Sequence, residues 1–136
     1  MERHLRAGVA MLAAVVGLLP AAAAAQAAAP RLLVIDLPYA RVWEGAVRAL
    51  GGPALARASD GVIETARVER APLPDEAGAE RIAERVTVHV EAVAAGVTRV
   101  TVTVAAEALR GGRWHAVEAS PTTVRAVLDR IRAGLG

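Results

Sequence analysis

With 136 residues and no cysteine, the chain excludes disulfides, thiolate metal sites and thiol nucleophiles, so its stability rests on an apolar core. All 16 basic residues are arginine, 14 acidic residues nearly balance them, and the two signs are interspersed rather than striped. With only 2% aromatic residues, the chain offers neither a phosphate-tracking stripe nor base-stacking platforms, and nucleic acid is not an expected partner.

The first 27 residues have the three parts of a secretory signal. Glu2, Arg3, His4 and Arg6 make a net basic start, and residues 7–19 form an uncharged apolar run too short for a membrane span of about 20 residues. Pro20 stops a helix, and Ala25-Gln26-Ala27 offers the small-x-small pattern of a signal peptidase site. The expectation is a periplasmic protein, cut near Ala27, with no membrane anchor in its mature form. About 109 residues, 28–136, then remain, the size of a single domain.

Residues 31–36 (RLLVID) read as a first strand. After Pro38 the apolar period changes to three and four, through Tyr39, Val42, Trp43, Ala46, Val47 and Leu50, which predicts a helix ended by Gly51-Gly52. Asp60-Gly61 predicts a type I′ hairpin turn between residues 55–59 and 62–70. Residues 71–79 (APLPDEAGA) read as an exposed, mobile connector. Glu76, Glu80 and Glu84 read as solvated charges.

Val86, Val88 and Val90, then Val100, Val102 and Val104, alternate with polar residues on either side of Ala94-Ala95-Gly96. Such alternation predicts a long antiparallel hairpin with one face buried. Gly111-Gly112 turns the chain into a last strand at residues 114–119. Ser120-Pro121 opens a closing helix whose apolar stripe is Val124, Val127, Leu128 and Ile131, with Gly134 expected as its C-cap. The fold class expected is α+β, an antiparallel sheet of about five or six strands with two helices on one face.

Chemistry is sparse. Ser59 and Ser120 sit at a turn and a helix start, without a G-x-S-x-G elbow. His89 and His115 both read as polar-face strand residues, and are weak candidates for a metal site at best. No catalytic residues and no cofactor are expected. Tyr39, Trp43 and Trp114 are the candidate binding residues, because large aromatics that reach the surface anchor partners.

The order strand, helix opening with Pro38, Arg41, Val42, Trp43 and Ala46, strand with Gly61, Ile63 and Thr65, valine hairpin and closing helix resembles the helix-grip domains of the BamC/NlpB family of outer-membrane assembly accessory lipoproteins. The resemblance allows one residue of slack in the first motif. It covers most of residues 28–136, as a single domain without the cysteine that carries the lipid in that family. It implies a non-enzymatic periplasmic interaction module with an envelope protein partner. The binding surface would be an exposed sheet edge or the groove beside the first helix. The alternative is a small apolar-ligand, lipid-like binder. It requires a cavity between sheet and helix lined by Val86, Val88, Val102, Leu128 and Ile131.

Overall fold

Seven antiparallel strands and two helices make up the computed structural model, which describes residues 31–136. The secretory-signal reading of residues 1–27 lies outside the described residues. In chain order the elements are β1 (Arg31–Ile35), α1 (Tyr39–Ala49), β2 (Leu55–Arg57), β3 (Val62–Glu64), β4 (Val68–Arg70), β5 (Arg81–Ala94), β6 (Val97–Arg110), β7 (Arg113–Val117) and α2 (Pro121–Gly134). A 3₁₀ turn, Pro74–Glu76, lies between β4 and β5.

The valine hairpin is the spine of the sheet. β5 and β6 are 14 residues each, longer than the valines alone predict, because alanines 105, 106 and 108 continue the alternation. Their register pairs Val86 with Val104, Val88 with Val102 and Val90 with Val100. Cross-strand partners share a face, so these six side chains form one buried surface, covered by both helices. Ile63, Val42, Ala46, Val124, Val127 and Ile131 complete the core. The strand order is β1-β6-β5-β3-β2, with β7 beside β6 beyond the end of β1 and β4 beside β5 beyond the end of β3. Among the described residues the other face of the sheet carries no helix.

The strand expected at residues 62–70 is two strands. Residues 65–67 stand opposite only Arg85 and Val86, a one-residue excess that flips the faces of everything after it. The ladder closes locally because Thr65 N–H donates to the Val86 carbonyl and Thr65 Oγ1 accepts the Val86 N–H, both at 2.9 Å. Glu64 therefore shares the open face with Thr87, while Val68 and Arg70 share the helix side with Glu84 and Ile82.

The Asp60-Gly61 turn is not type I′. Only glycines take positive φ, so Asp60 does not, and a four-residue loop, 58–61, joins Arg57 to Val62. Gly61 (φ 66°) is required there: a Cβ would lie 2.1 Å from the Val90 carbonyl oxygen. Gly51-Gly52 ends α1 as expected, and Ser120 caps α2 by accepting the Thr122 N–H at 3.2 Å.

Gly134 is not a C-cap. It is the last helical residue, with Leu135 capping, and it packs against Gly45 of α1. A Cβ on Gly134 would sit 2.7 Å from the Gly45 carbonyl oxygen, so the two helices cross where neither has a side chain. Arg130 fastens the crossing by donating to Ala49 O at 2.8 Å, at the carbonyl-rich end of α1.

Candidate functional site

The aromatic candidates fall in two places. Tyr39 and Trp43 are one turn apart on α1 and stack with centroids 6.1 Å apart and planes 13° from parallel. Both are half-buried, resting on the core from the side of α1. The Tyr39 hydroxyl donates to Ala58 O at 2.6 Å, which ties the helix start to the loop after β2. Burial, helped by the nearby Asp60 carboxylate, pushes its ionisation above the usual tyrosine range, so it stays a neutral donor.

Beyond the stack lies a shallow depression of about 350 Å³ lined by Trp43, Glu44, Val47 and Arg48. Its floor is the indole and the valine, and one carboxylate and one guanidinium stand beside them. An apolar anchor with polar groups of both signs next to it is suited to a protein side chain rather than to a reaction.

Trp114 is elsewhere. It pairs with Leu109 across β6 and so lies on the open face, away from both helices. The Arg67 guanidinium sits 4.4 Å above its ring. Arg67 and Ala83 line one depression, and the guanidinium also meets Glu69 at 3.2 Å and Glu107 at 3.5 Å. Arg81 extends this chain of charges to Glu69, also at 3.2 Å. Ala83 is 1% exposed on a face that is otherwise open. Trp114 thus anchors a surface ion network, and the three aromatics do not form one site.

The histidines do not meet. His89 pairs with Thr101 and shares the open face; His115 pairs with Ala108 and shares the helix side. The expectation that both lie on one polar face fails because their β6 partners have opposite parity. Seven residues of β6 also separate those partners, about 23 Å of strand. Among the described residues no group of three or more histidines and acids is placed to hold a metal ion.

Two of the acids read as solvated are not. The side chains of Glu76 and Glu84 are 9% and 11% exposed, and one guanidinium serves both. Arg70 donates to Glu76 Oε1 at 2.5 Å and Oε2 at 2.9 Å, to Ala71 O at 3.0 Å, to Thr123 Oγ1 at 3.2 Å, and through Nε to Glu84. All five of its donors are used. Glu76 Oε1 also accepts the Leu73 N–H at 2.8 Å. The hydrogen bonds from Arg70 hold the Glu76 carboxyl below the usual carboxylate range. The bond to Glu76 chiefly raises the Arg70 guanidinium in return.

Beside this cluster the Ser120 hydroxyl donates to Asp75 at 2.7 Å. The segment 71–79 is therefore latched to β5 and to the start of α2, rather than being a free connector. The only sequence signal was the four-residue spacing of Glu76, Glu80 and Glu84, and the contacts depend on the one-residue bulge that turns Arg70 inward. Both carboxylates are ion-pair partners of Arg70, and the lowered Glu76 carboxyl is not poised for proton transfer.

The lipid-binder alternative requires a cavity at residues that here pack against one another. Val86, Val88, Val102 and Ile131 belong to the contiguous core cluster, with Leu128 packed against it. Leu128 also lines a surface groove of about 270 Å³ between Arg31 and α2.

No family model matches the chain, and no curated protein does. Among solved structures it matches the crystal structure of an uncharacterized protein from Bacillus thuringiensis at 12% identity. The match covers 77% of this chain and 90% of the other, with a TM-score of 0.30. A likeness this remote carries no argument about function.

Proposed function

We propose that the chain is a non-enzymatic interaction module of the bacterial envelope, which binds a partner protein through the flank of α1. The observation that carries this is the Tyr39–Trp43 stack with its adjoining depression over Val47, between Glu44 and Arg48. A half-buried tryptophan held rigid by a stacked neighbour loses little freedom on binding, which is what a protein anchor needs.

The export reading of residues 1–27 and the resemblance to the BamC/NlpB family support a periplasmic location and a role as an accessory in envelope or outer-membrane assembly. Both are parts of the proposal. The test is crosslinking of the tagged full chain in intact cells, followed by mass spectrometry of what is captured. The proposal expects specific envelope proteins with the wild type and their loss with Trp43→Ala, at unchanged protein level. Capture that Trp43→Ala leaves intact would overturn the assignment to this flank.

A further inference from the structure

The sheet has four strands with a free side, and three of them are protected. β2 and β4 are three residues long, and the bulge precedes β4. β7 carries Arg113 and His115, and a glycine turn tightly joins it to β6. Short length, charge and bulges are the usual devices that keep an edge from pairing with another chain.

β1 has less of this protection: its one charge, Arg31, stands at its first position, and the other four residues are apolar. It is RLLVI, regular over all five residues, and among the described residues it pairs with β6 on one side only. On the open face its Leu32 and Val34 are 59% and 68% exposed, two of the largest exposures of bulky apolar side chains among the described residues.

We propose that two copies of this chain pair through β1, antiparallel about a two-fold axis, so that their sheets join into one. The strand is complementary to itself. Paired residues must share a face, and the register that sets Leu33 opposite Leu33 uses all five positions. It places Leu32 opposite Val34 twice on the open face, making a four-residue apolar cluster from side chains that are otherwise in water. On the helix side it places Arg31 opposite Ile35. Charge fits as well: Arg31 opens the strand and Asp36 follows it, so antiparallel pairing brings each guanidinium to the end of the strand where the other copy has its carboxylate. Neither residue is in an ion pair among the described residues.

This surface is separate from the α1 flank, so the inference stands or falls independently of the proposed function. Sedimentation velocity on the purified full chain, over a wide concentration range, is the test. The expected result is a reversible dimer whose dissociation constant rises at least about tenfold in Val34→Lys, a charge placed on the free edge. Because Val34 is exposed, its thermal unfolding reports whether the variant still folds. Arg31→Glu and Asp36→Arg should each weaken the dimer, and the double variant should restore it. A monomer at every concentration, a dimer indifferent to Val34→Lys, or a charge exchange that fails to restore association would each overturn the pairing.

Discussion

Substituting alanine for Gly134 sets two well-characterised effects against each other, and the structure decides the sign. Alanine is better than glycine inside a helix by about 1 kcal/mol, so propensity alone predicts a more stable protein. Here, however, the new methyl would lie 2.7 Å from the Gly45 carbonyl oxygen and 3.3 Å from the Ala49 Cβ. Those are rigid atoms of the facing helix, so the helices must separate, and separation also loosens the Arg130 bond to Ala49.

Forcing extra volume into a packed contact costs about 1–3 kcal/mol. The net expectation for Gly134→Ala is a loss of about 1 kcal/mol, or about 4–8 °C in Tm for a domain of this size. Gly45→Ala should behave similarly, because its methyl would meet the Gly134 carbonyl oxygen at 2.9 Å. The double variant should lose less than the sum, since helices already apart accept the second methyl. Urea and thermal unfolding are the assay, with Ala126→Gly, exposed in mid-α2, measuring propensity in the same helix. A Gly134→Ala protein stabilised by as much as Ala126→Gly is destabilised would refute the close-crossing argument.

Glu76→Gln removes the charge from the Arg70 latch and should destabilise by about 1–3 kcal/mol at neutral pH. The Glu76 carboxyl is held low in the folded chain, so its stabilisation is present above the ordinary carboxylate range and disappears as pH falls through its lowered value. Wild type and Glu76→Gln should therefore converge in acid, and a pH-independent difference in unfolding free energy would contradict the ion-pair reading. Gly61→Ala combines a positive φ, costing about 1–3 kcal/mol, with a clash against Val90 O, and should leave little folded protein by circular dichroism. Trp114→Ala, by contrast, loses a surface cation–π contact of about 0.5–1 kcal/mol, and its Tm should drop only slightly.

The parts of the fold legible in the sequence are those where one local rule acts alone. Val86 to Val90 and Val100 to Val104 alternate because one face is buried, and Ser120-Pro121 marks a helix start by its own chemistry. The bulge at residues 65–67 is not legible, since what it achieves is distant: it turns Arg70 inward, where it meets Glu76, Glu84 and Thr123. The latch was hidden for the same reason, its acids lying in a proline-bearing stretch that reads as solvated loop. Gly134 packs rather than caps, because a glycine near a helix end serves either role and only the position of α1 distinguishes them. Of the candidate site, Tyr39 and Trp43 were visible through helical spacing. The separation of Trp114 from them, and of His89 from His115, depends on strand register, which residue identities do not carry.

A partner held on the α1 flank is within reach of a photocrosslinking amino acid placed singly along the full chain in living cells. At Glu44 and Arg48, which line the depression, capture of the same envelope protein is expected. At Arg85 and Thr103, on the open face of the sheet, none is expected. Capture from the open face with silence at Glu44 and Arg48 would contradict binding at that flank.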